Sequence, residues 1–184
     1  VLVSGFGPFA EVCVNASGIV AAGLDGACVA GVPVRGVVLA TAFGEARATI
    51  GRLARADGCI GAVALGVWRG PTVRLERRAH GVVTSDRADV RGEVWLGREL
   101  GAGLATTVPV DEWAAEVGSW VSEDCGSYVC NAVYQALLAV GAEGVRAKPA
   151  LFMHMPRDVG ARGLEATAAM VRAVIARVVM ASRS

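Results

Sequence analysis

Histidine is nearly missing from this chain: His80 and His154 are the only two in 184 residues. Any step that needs an imidazole base or ligand must draw on one of them. The five cysteines, Cys13, Cys28, Cys59, Cys125 and Cys130, include no Cys-x-x-Cys pair, and with so few histidines they form no zinc ligand set. Unpaired thiols at this density suit a reducing compartment, so a cytoplasmic location is expected. Excess charge of either sign is lacking as well. The formal net charge is +1, and no polybasic run adjoins an apolar helix, which argues against nucleic acid or a membrane surface as partner. No apolar run is long enough to span a bilayer, and the amino end has neither the basic start nor the cleavage site of a signal peptide. Because the first residue is Val1 rather than Met, a few leading residues are expected to be missing. Internal repeats, low-complexity tracts and linkers are absent too, so residues 1–184 are expected to form a single domain.

What is present is apolar. Hydrophobic residues make up 54% and charged residues 19%, which excludes disorder and favours a well-buried α/β interior. Val1 to Ser4 reads as a buried strand that stops at Gly5-Phe6-Gly7-Pro8-Phe9. That loop fails the dinucleotide spacing, and Pro8 removes a backbone donor, so it is no phosphate cradle. Its Phe6 and Phe9 either pack the loop down or line a pocket. Asn15 to Leu24 reads as a short helix with Asn15 or Ser17 near its start, Val32 to Ala40 as a strand, and Gly44 to Ala56 as an amphipathic helix. Cys59 to Val67 is a continuous apolar run, as expected of a central strand covered on both faces. The alternation of strand and helix predicts a three-layered fold around a largely parallel sheet.

Further on, Thr72 to Glu76 alternates, with Val73 and Leu75 on one face, and reads as a half-exposed strand. His80 to Gly103, rich in glycine, is expected to hold hairpin arms and loops. Asp111 to Val117 looks helical with Asp111 as its cap, and Val145 to Met155 runs into the apolar stretch Leu151-Phe152-Met153-His154-Met155-Pro156. Leu164, Ala168, Val171, Ile175 and Val178 mark one stripe of a long closing helix.

The chemistry centres on Gly126-Ser127-Tyr128-Val129-Cys130-Asn131. Val133, Tyr134, Leu137 and Leu138 follow at helical spacing, so Cys130 falls in the first turn of an amphipathic helix, with Ser127 as candidate N-cap. Unpaired N–H groups and the helix dipole at that position favour thiolate, so a lowered thiol pKa is expected. Taken alone, Cys130 also reads as a small buried core hydrophobe. His154, at the end of the last strand, is either a core histidine or a base on the strand-end rim where ligands bind in open α/β sheets. Glu76 is either a surface glutamate beside Arg74, Arg77 and Arg78 or the carboxylate that orients the imidazole.

These residues carry a resemblance. Ser122-Glu123-Asp124-Cys125-Gly126-Ser127-Tyr128-Val129-Cys130-Asn131 resembles the nucleophile motif of the pyroglutamyl peptidase I family of cysteine peptidases. In the same order, Ser4-Gly5-Phe6-Gly7-Pro8-Phe9 with Asn15-Ala16-Ser17 resembles its opening motif, Leu75-Glu76-Arg77-Arg78-Ala79 its glutamate motif, and Leu151 to Pro156 its histidine motif. The resemblance implies a Cys130 nucleophile, a His154 base and a Glu76 orienting group. It implies a three-layer α/β/α fold with a mixed, largely parallel central sheet of the phosphorylase/hydrolase-like kind, a cytoplasmic homo-oligomer and no cofactor. It also implies that Phe6, Phe9, Asn15, Thr41, Tyr128 and Val129 surround the pyroglutamyl ring. Two departures stand out. Gly66-Val67-Trp68-Arg69-Gly70 has Val67 where the family has a lactam-contacting glutamine, and Ser85 to Val90 lacks the family's proline, with Arg87 in the place of its oxyanion arginine.

The implied activity is removal of an N-terminal pyroglutamyl residue from peptides through an acyl-enzyme. The alternatives are a cysteine amidase with altered acyl-group specificity and a non-catalytic binding module on the same fold. If His154 is the base, His154→Ala lowers amide cleavage by on the order of a hundred-fold to ten-thousand-fold. Unchanged cleavage in that variant would transfer the role to His80.

Overall fold

A computed structural model describes residues 1–143 and 147–183. In chain order the elements are β1 (Leu2–Phe6), α1 (Ala16–Gly23), β2 (Cys28–Val29), β3 (Val32–Pro33), β4 (Arg35–Leu39), α2 (Phe43–Arg55) and β5 (Ala62–Trp68). There follow β6 (Arg74–Glu76), β7 (Arg78–Ala79), β8 (Val82–Thr84), β9 (Leu96–Glu99), β10 (Leu104–Ala105), α3 (Val110–Glu116) and β11 (Trp120–Ser122). The chain closes with α4 (Val129–Gly141), β12 (Ala150–Pro156) and α5 (Ala161–Ala181).

Six strands form one sheet in the order β11-β6-β12-β5-β1-β4. β12, β5, β1 and β4 are mutually parallel, and β6 with β11 runs the other way, so the β6/β12 junction is the sheet's antiparallel seam. Side chains alternate across the sheet, which sorts the apolar residues into two layers. Val63, Leu65, Leu75, Leu151, Met153 and Met155 pack with Val20, Trp113, Val171 and Ile175 of α1, α3 and α5. Ala62, Ala64, Ala150 and Phe152 face Ile50, Val133, Tyr134 and Leu137 of α2 and α4. The expected three-layer α/β/α architecture with a mixed, largely parallel sheet is therefore observed. No described helix is long and apolar enough to cross a membrane.

Asn15 caps α1 as read, its side-chain oxygen accepting from the Ser17 N–H at 3.2 Å. Three other local expectations are corrected. Ser127 is not the cap of α4: Tyr128 holds that position and gives no side-chain cap bond. Asp111 lies inside the first turn of α3, one residue beyond the start at Val110. The run Val32 to Ala40 breaks at Val34, leaving β3 in a small antiparallel ladder with β2 and only β4 in the main sheet. The segment expected at His80 to Gly103 does form an antiparallel pair, β8 with β9. The start proposed at Val145 lies outside the described residues, and β12 begins at Ala150.

The strand Trp120–Ser122 has no expectation in the sequence, because three residues are too few for a period. It matters nevertheless. By pairing with the outer side of β6 it turns what reads as a half-exposed strand into an internal one, and Glu76 is 0% exposed.

On the opposite face, Ile175 of α5 is also fully buried. Ile175→Ala is expected to cost about 2–5 kcal/mol through lost burial and a residual cavity. The fall should appear as a lower urea midpoint at unchanged slope, and an unchanged midpoint would contradict this packing.

Candidate active site

The seam between β6 and β12 sets the first half of the site. Glu76 pairs with Phe152 and Arg74 with His154, so all four side chains stand on the α4 face of the sheet. His154 Nδ1 lies 2.6 Å from Glu76 Oε1. With the carboxylate as acceptor, Nδ1 carries the proton and the Nε2 lone pair is left free. Tyr134 on α4 donates its hydroxyl to the Glu76 carbonyl at 2.7 Å, holding the backbone of that strand in place.

The second half is the start of α4. Gly126 has φ +84°, a left-handed conformation that favours glycine, and its N–H is held by Asp124 Oδ1 at 2.8 Å. Asn131, fully buried, accepts from the His80 N–H at 2.7 Å and donates to the carbonyls of His80 and Val82. These bonds tie the first turn of α4 to the β7–β8 connection. Cys130 is half-buried in that turn. A Cβ on Gly66 would lie 3.0 Å from its sulfur, and Gly66 is the β5 partner of His154. Since neighbouring strands lie roughly 4.8 Å apart, the sulfur rests over a bare glycine beside the imidazole.

Burial dominates the electrostatics. It pushes the Cys130 thiol up to about 12, helped by the charge on Glu76 and opposed by the residue's own N–H and by Arg74. The expectation of a lowered thiol pKa is thus corrected, because desolvation of the anion outweighs the helix start. The adjacent Cys125 is pushed further up for the same first reason. The His154 imidazole is pulled below its ordinary value by burial, against the raising effect of Glu76. Both shifts favour a neutral thiol beside a neutral imidazole over a standing thiolate–imidazolium pair.

Cys130 and His154 open onto one cavity of about 410 Å³, shared with Phe9, Val67, Arg87 and Tyr128. The rings of Phe9 and Tyr128 are 6.1 Å apart, and the Arg87 guanidinium lies 5.4 Å and 5.6 Å from their centres. Arg87 also pairs with Glu11 at 2.8 Å. The other four residues expected around a ring do not line the cavity. Phe6 and Val129 are sealed in the apolar layer under α2 and α4. Asn15 and Thr41 are buried and both donate to the Gly7 carbonyl, at 3.0 Å and 3.1 Å, which braces the turn carrying Phe9. Glu11, Trp68 and Arg157 line the cavity without having been singled out from sequence: Glu11 and Arg157 lie in loops, which show no period, and Trp68 is the last residue of β5. His80 lies elsewhere, paired with Asp124 at 2.8 Å. Among the described residues no group of three or more histidine, cysteine, aspartate or glutamate side chains could hold a metal ion.

Comparison with known proteins gives a consistent result. The family model described as pyroglutamyl peptidase matches residues 1–159. The pyrrolidone-carboxylate peptidase 1 of Ralstonia nicotianae is 32% identical over 167 residues, covering 85% of this chain and 77% of that protein. Among solved structures, pyrrolidone carboxyl peptidase from Pyrococcus furiosus superposes with a TM-score of 0.90 at 20% identity, over 98% of both chains. That from Thermococcus litoralis gives 0.87 at 19% identity, over 96% of this chain and 91% of the other. At such identities these two likenesses bear on the fold alone.

Gly66 offers a direct test of the geometry. Gly66→Ala would put a methyl 2.9 Å from the Phe152 ring and 3.0 Å from the Cys130 sulfur. A displacement of about 1 Å at a reacting atom costs roughly a hundred-fold in rate, so that loss is expected with the fold retained. Full turnover in a folded Gly66→Ala protein would show that the sulfur does not react from this seat.

Proposed function

The chain belongs to the pyroglutamyl peptidase family, and on that premise we propose that it acts as one catalytic domain in which Cys130, His154 and Glu76 remove an N-terminal pyroglutamyl residue from peptides. The observation that carries the residue assignment is the 2.6 Å contact of His154 Nδ1 with the buried Glu76 carboxylate, behind a cavity that also opens on Cys130.

Because thiol and imidazole both rest neutral, the proton leaves Sγ for His154 Nε2 as the sulfur attacks the pyroglutamyl carbonyl. The imidazolium so formed is stabilised by Glu76. Oxyanion charge is met by the N–H groups that the first turn of α4 leaves without helical partners. His154 then gives its proton to the departing amine, and water, deprotonated in turn by His154, hydrolyses the thioester. The flat lactam ring fits against Phe9 and Tyr128, with Arg87 over both rings as a wall rather than at the oxyanion. All five cysteines are free thiols, which supports the cytoplasm as location, and resemblance to the family supports a homo-oligomer.

Val67 on the cavity wall supports a second reading, a cysteine amidase with an altered acyl group. An apolar side chain there makes no hydrogen bond to a lactam, and it is such bonds that separate a lactam from proline. Three fluorogenic amides distinguish the readings. Cleavage of the pyroglutamyl amide alone, abolished in Cys130→Ala, is expected. Equal or better cleavage of the prolyl or glutamyl amide would favour the second reading, and turnover of none would leave a binding module.

The acid limb of kcat/KM gives a further check. His154 acts only when neutral and its proton affinity is reduced, so turnover should persist below the ordinary imidazole value of about 6.5. An acid midpoint above that value would contradict a buried neutral base.

A further inference from the structure

We propose that Arg74 is a positioning residue of this reaction: a fixed cation that pairs with the buried Glu76 carboxylate, holds it against His154 Nδ1 and thereby selects the His154 tautomer able to take the thiol proton. The inference rests on the Cys130–His154–Glu76 reading above and adds a fourth group to it.

Arg74 Nε lies 2.7 Å from Glu76 Oε1, the same oxygen that receives His154 Nδ1. Its N–H is not aligned for a directed hydrogen bond, so the contact is an ion pair. One terminal nitrogen donates to the Asp124 carbonyl at 3.2 Å and stands 3.5 Å from His154 Nδ1. The guanidinium carbon lies 4.5 Å from the centre of the Trp68 ring and 6.0 Å from that of Trp120. Both indoles are anchored on Thr72, through its carbonyl at 2.7 Å and its hydroxyl at 3.1 Å. A cation held against an aromatic ring and at two of its nitrogens has little freedom to leave.

The need for it follows from burial. Glu76 is 0% exposed, and its second oxygen has no hydrogen-bond partner among the described residues. A carboxylate so placed is costly to keep ionised unless a positive charge adjoins it. His154 cannot be that charge while it waits as a neutral base. The other arginines at the cavity look elsewhere: Arg69, Arg87 and Arg157 meet Glu11. Without Arg74 the carboxylate would lose the contact that fixes it against Nδ1. The imidazole proton would then be free to sit on Nε2, where no lone pair remains to accept from the thiol.

The groups facing His154 are Glu76 and Arg74 from β6, Asp124 and Cys125 from the loop before α4, Cys130 from α4, and Arg157 beyond β12. Of these only Arg74 both touches the carboxylate and carries a permanent charge.

The test compares the wild-type enzyme with Arg74→Met and Arg74→Lys on a pyroglutamyl amide. Arg74→Met is expected to lose on the order of a hundred-fold in kcat with KM little changed. Its acid limb of kcat/KM should move to higher pH, because the Arg74 charge lowers the proton affinity of the imidazole and its removal lifts that effect. Arg74→Lys should recover most of the rate and return the limb toward its wild-type position. Nitrogen-15 NMR of the histidine ring adds a signature that altered packing alone would not move: Nδ1–H in the wild type, Nε2–H in Arg74→Met. An unchanged limb and tautomer in Arg74→Met, or a rise in KM alone, would overturn the proposal. If Arg74→Met does not fold, Arg74→Lys decides, since a limb moved as far as loss of the cation predicts would be equally fatal. Wild-type protein that cleaves no pyroglutamyl amide would overturn the underlying reading and this inference with it.

Discussion

A carboxylate with no access to water, hydrogen-bonded to an imidazole across an antiparallel strand pair, is the constraint around which this molecule is arranged. Such a group is tolerated only where the surroundings replace its hydration. That requirement explains several otherwise unrelated features: the short edge strand β11 covering β6, the Tyr134 hydroxyl on the Glu76 carbonyl, and the guanidinium clamped between Trp68 and the seam. Each places a polar or aromatic group against β6 where an ordinary sheet would need only apolar side chains.

The same burial that orients the imidazole also acts on the sulfur. In this partly buried seat desolvation makes a thiolate unfavourable, and the start of a helix does not compensate, so the Cys130 thiol is pushed up. A neutral pair that exchanges its proton only during attack avoids a standing charge separation. It also accounts for the bare strand surface beneath the sulfur. Ala64 and Gly66 on β5 leave room on the α4 face, and any larger residue at Gly66 would press on Cys130 or Phe152.

Around this rigid floor the cavity walls come from loops, and loops have no repeating pattern to read. Glu11 illustrates the difference. Its carboxylate meets Arg69, Arg87 and Arg157, residues from three separate loops, and nothing in their spacing along the chain announces the meeting. Asn15 and Thr41, expected around a ring, brace the Gly7 turn behind Phe9. A small polar residue near a pocket can serve the ligand or the loop, and only neighbours far along the chain separate the two.

Periodicity and capping in the chain were enough to read β1, α1, α2, β5, α4 and α5, because those signals arise within a turn or two of backbone. Motif order was enough to draw attention to Cys130, His154 and Glu76. What linear patterning left open was burial. The polar face of β6 alternates like a strand open to solvent, yet β11 and α4 close over it, which makes Glu76 an interior charge with Arg74 as its counterion. The helix start that favours a thiolate in isolation is likewise overruled by the protein packed around it. Local chemistry depends on residues a few positions apart, whereas desolvation depends on every segment that happens to arrive from elsewhere in the fold.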